Sequence, residues 1–235
     1  MTTHLQLPFQ FDVQALQKEL DTILDMKWVA HFNTGGYIGN WNAIPLYAPN
    51  GDSEHIFAVS MEDAPLQATG ILKECDYLRT VIQSFETEIL SARLLRLEAG
   101  AFIKPHTDHA LGYEDGSFRV HIPIATNPQV QFVLAGTQIR MQPGECWYTN
   151  VNHEHSVRND GTTDRVHLVI DLKRNEWSDA LFFSLAPKAS FEREVDKVSS
   201  EILKRTLEEL RRQHLPANQR LIEQLEKQLA AGASQ

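Results

Sequence analysis

The chain has 235 residues, of which 42% are hydrophobic and 23% are charged, the composition of an ordinary globular protein. A formal net charge of -9 at pH 7 argues against a generic nucleic-acid-binding protein and against a basic membrane-surface anchor. The two cysteines, Cys75 and Cys146, form no CxxC pattern, which argues against a disulfide framework or a thiolate zinc site and fits a cytoplasmic protein.

The N-terminal part is predicted to supply elements that flank a core. Residues 1–10 lack the basic and apolar regions of a signal peptide, and no window approaches the ~18 apolar residues that span a membrane. Asp12 can cap a first helix. Its apolar residues recur at helical spacing: Val13, Leu16, Leu20, Ile23 and Leu24. Residues 41–48 then resemble a short strand, and residues 76–90 an amphipathic helix.

Between about residues 91 and 173, short apolar runs are separated by turn residues. Along residues 117–126 the apolar side chains occupy one face of a strand and the polar ones the other: Phe118, Val120, Ile122 and Ile124 against Arg119 and His121. The Asp160-Gly161 pair between two apolar runs predicts a hairpin. Many short strands at this spacing are typical of a β-sandwich, a jelly roll or a small barrel.

The last zone is predicted to be helical. Leucine-rich stripes recur at helical spacing in residues 202–210 and 221–229. We therefore expect a domain over residues 1–174, with a helical extension over residues 175–235. The extension is expected to pack on the domain or to lie at the interface of a homodimer.

The segment "PHTDH", residues 105–109, is the first candidate for a site. In an extended chain His106 and Asp108 point to the same side and can meet one metal ion, whereas His109 points the other way. An H-x-D tripeptide alone is a weak signal, because most such tripeptides are surface turns. A third ligand would have to come from elsewhere, and the downstream candidates are His121, His153, His155 and His167.

His155 is the favoured third ligand, because it follows one predicted strand and leads into the predicted hairpin. His153 remains a competitor, since residues two apart share a face. Two histidines and one carboxylate form the facial triad of non-haem Fe(II) oxygenases. Such a triad leaves open positions on the metal, one for O2 and two that can chelate a 2-oxo acid.

A cation for the cosubstrate is predicted ten residues beyond His155, at Arg165. Arg165 and His167 share one face of the return strand, and a buried guanidinium can hold the distal carboxylate of 2-oxoglutarate by two hydrogen bonds. Arg119 and His121 share a face of another strand and could supply further donors. Each residue alone has an ordinary reading as a turn, loop or surface residue, and the combination is what predicts a site.

Residues 92–127 and 143–172 carry a recognisable pattern, from "ARLLRLEAG" through "PHTDH" and "FRVHIPI" to "HSVRNDGTTDR". They resemble the aspartyl/asparaginyl β-hydroxylase family of Fe(II)/2-oxoglutarate-dependent oxygenases, and in particular its bacterial branch that includes L-proline cis-4-hydroxylase. The family fold implies a mainly β protein with flanking helices. Its core would be a double-stranded β-helix, the cupin-like jelly roll, with N-terminal helices. The C-terminal helical extension is predicted from the leucine stripes and is not part of the shared pattern.

The resemblance also implies roles for six residues: His106, Asp108 and His155 as iron ligands, Arg165 for the distal carboxylate of 2-oxoglutarate, His121 near the cosubstrate, and Arg119 for a carboxylate of the substrate. The pattern H-x-x-x-N-D followed by Arg165 favours His155 over His153. Animal aspartyl hydroxylases of this family have glycine in place of the carboxylate ligand, whereas Asp108 is present here.

The resemblance implies a hydroxylase that acts on an amino acid or a derivative, using Fe(II), 2-oxoglutarate and O2 and releasing succinate and CO2. A peptide Asp/Asn β-hydroxylase is an alternative. Another is a cupin-like metalloprotein without oxygenase activity, such as an isomerase or a ligand-binding module, although cupins usually carry H-x-H followed by Glu. A third is an inactive jelly roll that binds proteins through its C-terminal helices. The expected partner is a small molecule that bears a carboxylate, with neither nucleic acid nor membrane.

Overall fold

The structure is a computed structural model. It describes the following residues: 1–26, 28–56, 64–192, 200–213 and 218–232. They form two compact units, residues 1–191 and residues 192–235. The first unit therefore extends beyond the boundary that was predicted after residue 174. It includes a helix, Glu176–Leu185, whose Phe182 is fully buried in its core.

The first unit contains thirteen strands among the described residues. They are β1 (His4–Gln10), β2 (Val29–Ala30), β3 (Tyr37–Ile38), β4 (Trp41–Pro49), β5 (Leu66–Ala68), β6 (Ile89–Leu97), β7 (Phe102–His106), β8 (Ser117–Ala125), β9 (Val130–Leu134), β10 (Thr137–Ile139), β11 (Glu145–Thr149), β12 (His155–Asn159) and β13 (Arg165–Lys173). Its helices are α1 (Val13–Ile23), α2 (Gly70–Lys73), α3 (Asp76–Gln83) and α4 (Glu176–Leu185).

The strands form two sheets. The larger has the order β1-β11-β8-β13-β6-β4-β2, with β5 added beside β4, and the smaller has the order β10-β9-β12-β7-β3. Neighbouring strands are antiparallel, and many neighbours are distant in sequence, as in a jelly roll. The predicted mainly β fold with flanking helices is confirmed.

The alternation predicted for β8 is confirmed, but both of its faces are buried. The apolar face, which includes Phe118 and Val120, belongs to a core that also contains residues of α1, α3 and α4. The opposite face carries Arg119 and His121 towards the interior between the sheets. Polar residues on this strand therefore line a cavity instead of meeting bulk solvent.

Two N-terminal elements differ from expectation. Residues 4–10 form an edge strand that pairs with β11, although no strand was predicted there. The helix predicted over residues 76–90 ends at Gln83, and Ile89 begins β6. Ile89 pairs with Leu172 of β13 in the larger sheet. This strand pairing takes precedence over the helical spacing of the apolar residues, and the segment after Gln83 does not continue the helix.

The aromatic cluster around α4 leads to a stability prediction. Phe182 is fully buried, with its ring stacked on that of Tyr113 at a centroid distance of 4.1 Å. We expect Phe182→Ala to lower the free energy of unfolding by about 3–5 kcal/mol, because the lost contacts leave a cavity. Urea unfolding measures this. Leu185→Ala, at an exposed position of the same helix, should stay within about 0.5 kcal/mol of the parent. Equal effects of the two changes would contradict the packing described here.

The second unit contains α5 (Ser200–Arg212) and α6 (Gln219–Gly232). Arg211 of α5 forms an ion pair with Glu226 of α6. The side chain of Ile202 and residues 214–217, which include Pro216, lie outside the described residues. Within the described ranges of both units, no helix has the length and apolar character needed to cross a membrane.

Candidate metal centre

Three potential metal ligands meet where β7 pairs with β12 in the smaller sheet. His106 ends β7, His155 begins β12, and the two are cross-strand partners with ring centroids 4.2 Å apart. Asp108 follows β7, and its backbone N–H donates to the carbonyl oxygen of Val151 at 2.9 Å. One potential ligand atom from each of His106, Asp108 and His155 lies within 4.8 Å of the other two.

Hydrogen bonds orient both imidazoles for metal binding. Nδ1 of His106 lies 2.8 Å from the carbonyl oxygen of Lys104, and Nδ1 of His155 lies 3.0 Å from that of His153. Because a carbonyl can only accept, each Nδ1 carries a proton and each Nε2 of a neutral ring keeps its lone pair. Burial is the main cause that lowers the pKa of His155 to about 4, so this ring is neutral near pH 7. Two such nitrogens and a carboxylate fit a divalent transition metal.

The two other histidines of these segments have different positions. Among the described residues, His155 and not His153 belongs to the group of potential ligands. His153 instead contributes its carbonyl group, which orients His155. His109 is exposed at the wall of the cavity described below.

Asp108 is held by Arg119, which the larger sheet positions. Nη1 of Arg119 donates to Oδ2 of Asp108 at 2.5 Å. The same guanidinium donates from Nε and Nη2 to the two oxygens of Asp171, at 2.6 and 3.0 Å. Burial raises the pKa of Asp108, but the nearby charges, that of Arg119 first, and the hydrogen bond from Arg119 together outweigh it, and the pKa lies below its ordinary value. One N–H on each terminal nitrogen of Arg119 is left for a further acceptor.

Arg165 lies deeper in the interior and is only 2% exposed. Nη2 donates to Nδ1 of His167 at 2.9 Å, while Nε has no hydrogen-bond partner among the described residues. No carboxylate of the described ranges pairs with it, and burial lowers its pKa to about 9. His121 is buried nearby with both ring nitrogens without a described partner. A buried cation beside unused polar atoms is a receptor for an anionic, hydrogen-bonding ligand.

A cavity of about 490 Å³ joins these groups, which is within the usual size range of small-molecule sites. Its polar wall contains the three potential ligands together with Arg93, Arg119, His121 and Arg165. Trp41 and His31 form an aromatic wall, with ring centroids 3.5 Å apart and nearly parallel rings. A second cavity of about 370 Å³ reaches Arg165 and His167 from another direction.

Two charged residues of this site, Arg93 and Asp171, were not identified from the sequence, and neither were His31 and Trp41 of the aromatic wall. Arg93 of β6 is 8% exposed and lines the cavity. Its Nε is buried without a described hydrogen-bond partner, and its Nη2 lies 3.5 Å from Oδ2 of Asp171. Strand alternation could have found both residues, since Arg93 shares a face with Leu95, and Asp171 shares one with Arg165 and His167.

Comparison with models of protein families shows which family the chain belongs to. A model of the aspartyl/asparaginyl β-hydroxylase family matches residues 10–175, which is more than two thirds of the chain. The chain belongs to this family. The match covers every strand from β2 to β13, and it leaves out α4 and both helices of the second unit.

Two curated relatives are amino-acid hydroxylases by name. The chain is 26% identical to the L-proline cis-4-hydroxylase of Rhizobium meliloti over 182 residues, 77% of this chain and 64% of that protein. It is 28% identical to an L-proline cis-3-hydroxylase of Streptomyces over 175 residues, 73% of this chain and 60% of that protein. The chain thus matches less than two thirds of the length of these relatives.

A solved structure agrees with the fold assignment. It is an oxidoreductase of the 2-oxoglutarate-Fe(II) oxygenase family from Burkholderia pseudomallei. The TM-score is 0.52 at 18% identity, over 74% of this chain and 86% of that one. At this identity the likeness establishes the jelly-roll fold.

Proposed function

We propose that this member of the aspartyl/asparaginyl β-hydroxylase family is an Fe(II)- and 2-oxoglutarate-dependent oxygenase. Its substrate would be an amino acid or a derivative, which it hydroxylates at an unactivated C–H bond. One observation carries the proposal: a two-histidine, one-carboxylate cluster shares a cavity with a buried arginine that has no described counterion.

The metal-binding role falls to His106, Asp108 and His155. Nε2 of each imidazole and one oxygen of Asp108 would hold Fe(II), since two Nδ1–H groups and Oδ2 of Asp108 are already engaged. When bound with 2-oxoglutarate and O2, the iron supplies the oxidising chemistry that inserts one oxygen atom into a C–H bond and yields succinate and CO2.

The cosubstrate-binding role falls to Arg165 and His121. Arg165 offers a buried guanidinium that fits the distal carboxylate of 2-oxoglutarate, and its Nε has no described partner. His121 lines the same cavity and has two unused ring nitrogens. Burial, with the charge of Arg165 acting in the same direction, keeps the pKa of His121 well below its usual value. A neutral His121 can therefore donate one hydrogen bond without adding to the positive charge.

The substrate class follows from the cations nearest the metal cluster. Arg119 retains unused N–H groups beside Asp108, and Arg93 has an unpartnered Nε in the same cavity wall. Together they would attract a substrate carboxylate. The relatives named above as proline hydroxylases also support a free amino acid or a close derivative.

The test is anaerobic reconstitution of the chain with Fe(II) and 2-oxoglutarate, followed by admission of O2 with a panel of free amino acids. Substrate-dependent release of succinate and a product heavier by one oxygen atom are expected. A second panel of Asp- and Asn-containing peptides examines the peptide β-hydroxylase alternative. Metal binding without 2-oxoglutarate binding would favour a cupin-like protein that is not an oxygenase, and would contradict the proposal.

Arg93→Met leads to a prediction about substrate binding. Methionine keeps much of the apolar volume but cannot bind a carboxylate, so we expect KM for the amino acid to rise about tenfold or more. The Kd of 2-oxoglutarate should change much less. Steady-state kinetics and calorimetric titration of 2-oxoglutarate measure the two quantities. An unchanged KM would exclude Arg93 from substrate binding and leave Arg119 as the proposed anchor.

The role of the C-terminal helices stays a prediction. Its two helices are expected to pack on the catalytic domain or to form a homodimer interface. Sedimentation velocity on the full chain distinguishes a monomer from a dimer.

A further inference from the structure

Asp171 is a buried carboxylate that does not itself belong to the group of potential metal ligands. It is 1% exposed, on β13 of the larger sheet. Oδ1 and Oδ2 accept the two hydrogen bonds from Arg119, and Oδ2 also accepts one from Oγ of Ser91 at 2.8 Å. Burial raises the pKa of Asp171, but the charges of Arg119 and Arg93 and the hydrogen bonds from Arg119 and Ser91 together outweigh it and bring the pKa to about 2, so the group is ionised.

The contacts of Asp171 determine where Arg119 points. Asp171 lies directly opposite Arg119 in the pairing of β13 with β8, so the sheet itself sets their separation. A guanidinium is planar and rigid. When Nε and Nη2 are held by Asp171, the direction of Nη1 is fixed as well, and Nη1 is the atom that donates to Asp108.

Asp108 has little other support. It lies in the segment after β7, and its side chain is 33% exposed. Its backbone N–H donates to the carbonyl oxygen of Val151, and among the described residues the carboxylate accepts a side-chain hydrogen bond from Arg119. The orientation of this carboxylate therefore depends on a chain of contacts that begins in the larger sheet.

We propose that Asp171 is a positioning residue for the metal centre. By clamping Arg119, Asp171 directs Nη1 of Arg119 to Oδ2 of Asp108, and Oδ1 of Asp108 is left to bind the metal. The inference rests on the proposed function, because it presumes that the three-residue cluster binds a metal. It goes further by assigning a role to a carboxylate that never contacts the metal. Outer partners that orient a ligand commonly change metal affinity by about 10- to 100-fold when removed.

A purely structural role would be different. Asp171 could merely neutralise the two buried arginines, in which case its loss would lower stability and leave the metal affinity of the folded protein unchanged. Metal affinity at a temperature where each variant is folded therefore separates the two roles.

The experiment measures the Kd of Co(II), which does not react with O2 under these conditions, on the full chain by calorimetry and by the visible absorption of the bound ion. Asp171→Asn keeps the volume but replaces one acceptor oxygen with an NH2 group, which cannot accept from the guanidinium. We expect the Kd to rise about 10- to 100-fold.

Arg119→Lys should give a similar rise, because a single ammonium cannot hold both carboxylates in this geometry. The double variant should bind Co(II) only slightly more weakly than either single variant, because each of the two substitutions interrupts the same chain of contacts.

Ser91→Ala is the matched control. It removes a different hydrogen bond to Oδ2 of Asp171 and leaves the guanidinium clamp in place. Its Kd should remain within about twofold of the parent, well below the change expected for loss of an outer partner.

The outcomes are distinguishable. If the parent chain does not bind Co(II), the proposed function itself fails. If the parent binds and folded Asp171→Asn has the parent Kd, the positioning role is overturned while the metal site stands. Additive losses in the double variant would also overturn it, since they indicate separate actions. If Asp171→Asn does not fold, Arg119→Lys decides: a parent-like Kd overturns the role, and a weaker one supports it.

Discussion

Replacement of His155 by alanine should abolish high-affinity metal binding and, with it, substrate-dependent succinate formation. The imidazole supplies one of the three ligand positions, and its loss should cost more than the roughly 100-fold that removal of an outer partner can cost. The measurements are calorimetric titration with Co(II) and succinate release under turnover conditions. Thermal unfolding of the variant shows whether the domain is intact.

His153→Ala is the control for this change, because the two histidines are two residues apart and the sequence left both as candidates. The backbone carbonyl of His153 orients His155, and that carbonyl is retained when the side chain is removed. Metal affinity and activity should therefore stay near those of the parent. If His153→Ala lost the metal and His155→Ala kept it, the ligand assignment would be reversed and the proposed site would be wrong.

Arg165→Met should nearly eliminate binding of 2-oxoglutarate and leave metal binding in place. Removing one partner of a buried charge pair costs about 2–5 kcal/mol or more, which corresponds to a loss of affinity of roughly 30-fold to several thousand-fold. The folded protein should not become less stable through electrostatics. In the described structure, Arg165 has no carboxylate partner, and the variant removes a buried charge.

Calorimetric titration of 2-oxoglutarate into Co(II)-loaded protein measures this effect. Arg140→Met is the matched control, since Arg140 is exposed and lines the neighbouring cavity that also reaches Arg165. The control should bind 2-oxoglutarate as the parent does. Equal loss in both variants would point to a general electrostatic attraction, and normal binding by Arg165→Met would exclude the proposed cosubstrate site.

Local patterns predicted the elements that carry most of this fold. The alternation along β8 placed Phe118 and Arg119 on opposite faces. The Asp160-Gly161 pair indicated a turn, but the hairpin predicted there is wrong, because β12 pairs within the smaller sheet and β13 within the larger one. Period and turn chemistry are local properties, so they survive in the sequence alone. The end of α3 and the strand at residues 4–10 were missed, because both depend on pairing with strands that are distant in sequence.

The sequence by itself determined which chemical groups are available and how two of them relate: His106 and Asp108 lie two residues apart, with Arg165 ten residues beyond His155. Only the tertiary structure decided how the groups meet. It pairs His106 with His155 across two strands, and it directs Arg119 to Asp108 and Asp171. The reason is physical: spacing along a strand sets the face on which a side chain lies, whereas contacts between strands depend on register, which pairing of the whole sheet determines.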